Sequence, residues 1–300
     1  MDFIRANDNK STRINNENSV PFISFVALDD SELVKNGFST RLGGVSEGFL
    51  SSLNLGFGRG ECDENVLENL RRISESIGFD HRRLVTTNQT HTTNIRVVTE
   101  KDAGKGIVKP RDYSDIDGLI TNVANLPLIT YYADCVPLYF LDPVNKAIGL
   151  SHSGWRGTVG KIGAKTVRLM GENYGTDPSD VICCIGPSIC ADCYEVSSDV
   201  AEEFISAFGI DEKDIPVYVP GEKPADTILY KKITTTDAGQ KYQLDLWEAC
   251  RQGLLRAGVL DKNIHITDLC TCCNKDLLYS HRGLNGKRGS LAAFLMLKDS

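Results

Sequence analysis

Histidine and tryptophan are scarce in this chain, five and two among 300 residues, and methionine occurs three times. A centre that gathers many imidazoles, as a cluster of several coppers does, is excluded by the histidine count. Positive charge is also short. Against 33 Lys and Arg stand 40 Asp and Glu, and the net charge of −7 argues against a general basic surface for nucleic acid, though not against a local cationic pocket. A long uncharged stretch, Leu119 to Ala133, is interrupted by Thr, Asn and Pro and is too short to span a bilayer. The opening residues, MDFIRANDNKSTRINNENSV, contain no apolar run of the signal-peptide kind. A cytoplasmic protein with no membrane role is expected, and residues 1–19 read as a polar, disordered tail.

Cysteine, by contrast, is plentiful. Ten residues without a secretion signal are expected to be reduced thiols, most of them core and the rest open to metal binding or catalysis. Cys190-Ala-Asp-Cys193 is a spaced pair, and Cys270-Thr-Cys272-Cys273 lies downstream. The second run reads as lacking the usual two-residue spacer, so packing or redox-inert thiols are expected there and not a second zinc site.

Apolar periodicity alternates between the strand and helix types. Residues 21–28, 84–87, 95–98, 127–132, 136–141, 147–150, 181–185, 264–267 and 291–297 read as strands. Val66, Leu70, Ile73 and Ile77 repeat at helical spacing behind Asp63 as a cap, with Gly78 as the stop. A second helix is marked by Val159, Ile162, Val167, Leu169 and Met170, and a third runs from about Leu244 to Ala257 before Gly258. Residues 209–240 read as loop-rich and charged. No linker or repeat divides the chain, so one α/β domain is expected over 20–300.

Chemistry is expected where polar residues interrupt the ends of apolar strands. Three such places stand out: Asn88-Gln89-Thr90-His91, Ala133-Asp134-Cys135, and the run SHSGWRG from Ser151, which places a histidine and a tryptophan three residues apart. His91, Cys135 and His152 suit Zn²⁺, and three protein ligands with a fourth position open is the catalytic pattern. Packing or hydrogen bonding is the competing role for each of them.

The segments QTHTTNI, ADCVPLYFLDP, HSGWRGTVGKI, IGPSICADCYEV, DLWEACRQGLLRAGV and LCTCCNKDLLYSHRG occur in this order, with FSTRLGGVSEGFLSSLNLG before them and KRGSLAAFLML after. Together, over about residues 20 to 297, they resemble the YfiH/LACC1 family, also called polyphenol oxidoreductase (laccase-like) or purine nucleoside phosphorylase. The resemblance implies a single α/β domain with a mixed β-sheet core flanked by helices, related to a cysteine-dependent toxin deamidase. It also implies a zinc ion, with copper as the other metal considered, held by His91, Cys135 and His152. The implied activity is phosphorolysis of adenosine, inosine, guanosine and methylthioadenosine, together with deamination of adenosine. His281 and Ser153 depart from the family pattern, which commonly has an aromatic residue and Ala there.

Phosphate needs an anion site, and Arg41 and Arg156, each beside glycines, are the expected substrate-binding residues. Structural hydrogen bonds to carbonyls are the alternative for both. Asp134 is expected to orient or support Cys135 and not to relay protons. Three other functions compete: a metal-free cysteine hydrolase using Cys135, an editing hydrolase for cell-wall precursors, and a copper-dependent phenol oxidase.

Overall fold

Along Val136–Asp142, side chains alternate between two apolar clusters: Val136, Leu138 and Phe140 join one, Tyr139 and Leu141 the other. Leu291–Leu297 does the same, with Leu291, Ala293, Leu295 and Leu297 on one face and Ala292 and Phe294 on the other. Strands apolar on both faces must be covered on both faces, and period-two alternation therefore stacks layers. In the computed structural model, which describes residues 1–233 and 239–299, the layers run helix, sheet, sheet, helix.

The outer cluster on one side packs the helix Asp63–Ile77, through Val66, Leu70 and Ile73, on Phe22, Ile129 and Phe294 of the first sheet. The central cluster joins the two sheets, and the far cluster packs helices Ile162–Tyr174, Ser198–Phe208 and Leu246–Arg256 on the second. The first sheet orders its strands Thr12–Asn15, Phe22–Phe25, Val34–Ser39, Leu291–Leu297, Leu128–Tyr132 and Val85–Thr86. The second orders Ile264–Ile266, Ile182–Ile185, Val136–Asp142, Ala147–Ser153, Gly118–Thr121 and Ile95–Val97. Both are mixed: Val85 pairs parallel to Leu128, and Ile95 to Gly118, among antiparallel neighbours. The expected α/β architecture with a mixed sheet core is thus present, in two sheets. Between Val136–Asp142 and Ala147–Ser153 the chain turns tightly, with the buried Asp142 carboxylate accepting from the Val144 and Asn145 backbone N–H groups and from Asn145 Nδ2.

Several local expectations are corrected. The polar amino-terminal segment is not a free tail. Thr12–Asn15 pairs with Phe22–Phe25, Arg5 pairs with Asp268, and Thr12 Oγ1 donates to Asp268 Oδ1 at 2.5 Å. A short polar edge strand lacks the apolar signature by which strands are read, and such strands also blunt a sheet edge. Cys62, not Asp63, stands at the N-cap position of the first helix, without a side-chain capping bond, and the stop at Gly78 is as expected, at φ 94°. The second helix is split into Trp155–Val159 and Ile162–Tyr174 around Lys161 at φ 60°. Within the segment read as loop, Leu229–Lys231 joins Lys241–Leu244 and Glu195–Ser197 in a small third sheet; residues 234–238 lie outside the described residues. Among the described residues no helix is long and apolar enough to cross a membrane.

Asp245 caps the helix Leu246–Arg256 by accepting from Glu248 N at 3.0 Å, and burial pushes its carboxyl up to about 6. An acid with a raised folded-state pKa binds more protons folded than unfolded between about pH 4 and 6, so stability falls as pH rises through that window. Asp245→Asn keeps the accepting oxygen and removes the buried charge. It is expected to raise stability by about 1 kcal/mol at pH 7 and to change little at pH 4. Thermal unfolding at both pH values checks this, and an equal effect at each would contradict it.

Candidate active site

Pro137 lies opposite His152 and Val136 opposite Ser153, so Cys135, one residue before its strand, stands next to His152 near the end of the neighbouring one. His91, an exposed residue, comes from the loop after Val85–Thr86 and holds φ 64°, in the left-handed region. One donor atom from each of the three residues lies within 4.8 Å of the others, with Cys135 Sγ 3.9 Å from His91 Nε2. The two imidazole rings meet edge to face at 5.0 Å. Gly154 makes room: a Cβ there would sit 2.9 Å from His91 Cδ2 and 3.1 Å from Cys135 Sγ. The glycine of the SHSGWRG run is thus required by close approach.

Asp117, fully buried, organises the group. Its carboxylate accepts from the backbone N–H of Thr90 (3.1 Å), His91 (3.1 Å) and Thr92 (2.9 Å), from Thr92 Oγ1 (2.9 Å) and from His152 Nδ1 (2.8 Å). Burial alone would raise its pKa, but the His152 bond and the N–H donors hold it below the usual carboxylate range. A carboxylate only accepts, so His152 carries its proton on Nδ1 and leaves Nε2 free for a ligand role. Burial also works against charge at Cys135 and His152, yet each offsets it for the other. The imidazoles bring the Cys135 thiol down to about 6, and the thiolate and Asp117 raise His152 to about 9. Two imidazoles and a thiolate converging with one direction open are a donor set that fits one zinc or copper ion.

That open direction is a cavity of about 690 Å³, lined by His91, Cys135 and His152 and, elsewhere, by Phe57, Tyr131 and Arg288. Its size is that of a small-molecule site. Two buried polar atoms of its lining, Tyr131 Oη and Arg288 Nε, have no hydrogen-bond partner among the described residues. Burial, with Arg59 close by, pushes Arg288 down to about 10, which leaves it cationic at neutral pH. Gln89, close to His91 in sequence, supports the wall of the cavity, since its amide exchanges two 2.7 Å bonds with the Tyr131 backbone.

The structure brings the three expected ligands together and leaves both expected arginines outside. Arg41 donates from Nε and Nη2 to Ser51 O and from Nη1 to Lys275 O, above the Tyr279 ring, so its donors are spent on carbonyls. Arg156 lies 4.2 Å over its neighbour Trp155, and neither of the two lines the cavity. The cationic residues that do are Arg59, Lys109, Arg111 and Arg288. Asp134 faces away, accepting from Thr271 Oγ1 and Arg282 N, both at 2.7 Å. Sequence reasoning missed Asp117, Tyr131 and Arg288. The only signal for Asp117 was its position directly before Gly118, at the start of an apolar run.

A family described as multi-copper polyphenol oxidoreductase laccase matches residues 35–298. Purine nucleoside phosphorylase YlmD of Bacillus subtilis (strain 168) is 36% identical over 268 residues, 88% of this chain and 88% of that protein. Among solved structures, the hypothetical protein YfiH of Bacillus licheniformis matches with a TM-score of 0.81 at 31% identity, over 95% of this chain and 99% of its own. YlmD from Geobacillus stearothermophilus matches with a TM-score of 0.80 at 34% identity, again over 95% and 99%.

Proposed function

Since the chain belongs to the multi-copper polyphenol oxidoreductase laccase family, with relatives named purine nucleoside phosphorylases, we propose that its cavity carries out zinc-dependent purine nucleoside phosphorolysis. Adenosine, inosine, guanosine and methylthioadenosine are the substrates, and adenosine deamination is a second activity of the same site. One observation carries the reading: the His91–Cys135–His152 donors share a cavity with two unpartnered buried polar atoms, one of them on an arginine. Unpaired buried groups cost free energy until a ligand pairs them.

In this reading His91, Cys135 and His152 hold the metal, which supplies a Lewis acid when bound. Phe57 and Tyr131 wall the base, and Arg288 with Arg59 holds phosphate near the ribose C1′. A phosphate oxygen bonds to C1′ while the bond from C1′ to the purine nitrogen breaks, its electron pair leaving with the base. The laccase name does not carry over to chemistry. Of five histidines, two converge here, and a cluster of several coppers needs more. The reading places the chain in the cytoplasm, where thiols stay reduced.

The test incubates zinc-loaded protein with adenosine, inosine and methylthioadenosine, with and without phosphate, and follows free base, inosine and sugar phosphate separately. Base and sugar phosphate are expected only with phosphate present, and inosine from adenosine without it. Arg288→Met is expected to raise the KM for phosphate about tenfold, the worth of one charge-assisted hydrogen bond, with kcat less affected. No phosphate-dependent base release would end the phosphorylase reading.

One observation favours a second reading. Without metal, Cys135 and His152 form a thiolate and imidazolium pair backed by Asp117, the arrangement of a cysteine hydrolase. Stoichiometric zinc that shields Cys135 from alkylation until a chelator is added would rule it out.

A further inference from the structure

Away from the cavity a second set of thiols converges. Cys190 and Cys193 bracket a single turn that follows strand Ile182–Ile185, and Cys270 and Cys273 follow strand Ile264–Ile266, its parallel neighbour at the sheet edge. The two loops are laced together by a bridge between Ser188 and Cys270 and by Thr271 N donating to Ser188 O at 3.0 Å. All four sulfurs lie within 4.8 Å of one another, and those of Cys193 and Cys273 are 3.5 Å apart. Cys190 and Cys270 are buried in the core, as packing thiols would be, but the four sulfurs also converge, which the spacing as read did not lead one to expect. Cys270 and Cys273 are themselves separated by two residues, and the intervening Cys272, outside the foursome, disguised the spacing.

We propose that Cys190, Cys193, Cys270 and Cys273 bind one zinc ion in a closed tetrathiolate site that staples these two loops behind the Cys135 turn. This inference does not depend on what the His91–Cys135–His152 site binds. Two Cys-x-x-Cys halves on separate loops are the usual supply for a structural zinc, and Zn–S bonds of about 2.3 Å set tetrahedral sulfurs about 3.8 Å apart, within the spread observed here. Cys270 Sγ already accepts the backbone N–H groups of Cys190 (3.3 Å) and Cys273 (3.4 Å), donors that offset a buried thiolate's charge. On binding, four S–H bonds give up their protons to solvent, four Zn–S bonds form, and no electron is transferred.

The staple reaches the other site through Asp134. Thr271, between two of the ligands, donates to Asp134 Oδ1, and Ile189 N, next to Cys190, donates to Asp134 O at 3.0 Å. Asp134 holds φ 87°, a conformation rare outside glycine, and it directly precedes Cys135. A tethered pair of loops keeps that turn in place.

Zinc content of the full-length protein, purified under reducing conditions without chelator, tests the proposal. The Cys193→Ser/Cys273→Ser variant is expected to hold one equivalent less than the unaltered chain, and His152→Ala independently one less if its own site binds zinc. A double variant with undiminished zinc would overturn the proposal. Alkylation of the unaltered, zinc-loaded protein covers the case in which the variant fails to fold. Cys62 and Cys273 are both exposed. Cys62 is expected to react at once and Cys273 only after a chelator is added. Equal rates at the two, or a Cys193–Cys273 disulfide in the reduced preparation, would refute the staple.

Discussion

Replacing His152 with Ala is expected to remove zinc from the cavity site and nucleoside turnover together, the turnover by more than about 100-fold. His152 is 3% exposed, its ring sits 5.4 Å from the Tyr132 ring and 5.0 Å from that of His91, and Nδ1 is bonded to Asp117, so the ring is held by neighbours on several sides. Truncation does more than delete a donor. It leaves the Asp117 carboxylate buried with one partner fewer, and a buried charge deprived of a partner is costly. Losing a partner that only orients a metal ligand typically costs about 10–100-fold, and losing the ligand itself must cost more. Steady-state rates and metal content are to be measured on the same preparation. Retained turnover would refute the assignment of His152 as a ligand, and zinc retained without turnover would move its role from binding to chemistry.

Asp117→Asn is expected to weaken zinc binding about 10–100-fold and to lower stability by about 2–4 kcal/mol. The carboxylate receives five donors, three of them consecutive N–H groups that shape the loop carrying His91. An amide offers one accepting oxygen, and its NH₂ group must then face an N–H or the His152 ring. Either the loop or the imidazole loses its anchor, although the side chain keeps its size. Competition with a chromophoric chelator reads the affinity and thermal unfolding reads the stability. A variant that kept wild-type zinc affinity would show that backbone pairing alone orients the two histidines.

The contrast between His152 and Asp117 shows what was legible in the sequence. His91, Cys135 and His152 stand out because imidazoles are rare here and each interrupts an apolar strand end. Aspartate is common, and the importance of Asp117 appears only when Gly118–Thr121 pairs with Ala147–Ser153, a contact between distant segments that no local pattern announces. Arg288 is hidden for the same reason, being far along the chain from the residues it faces. Arg41 and Arg156 attract attention through their glycine neighbours, but a glycine frees the backbone without saying where the side chain turns. Strands apolar on both faces are legible nearly to the residue, as at Leu291–Leu297, whereas polar edge strands such as Thr12–Asn15 are not. The four clustered cysteines are visible in the sequence but read as packing thiols, because a third thiol stands inside the second pair.

The hairpin that carries Cys135 and His152 works as a clock for the site. Its last pair, Asp142 with Ala147, is set by the turn in which Asp142 gathers the Val144 and Asn145 N–H groups, about 17 Å along the strand from His152. Strand faces alternate with a period of two, so a slip of one residue at that turn would carry His152 from the side shared with Ile148 and Leu150 to the side packed against Ile162–Tyr174. The register of the end that carries Cys135 and His152 is therefore kept at the opposite end, by a buried carboxylate that does not line the cavity.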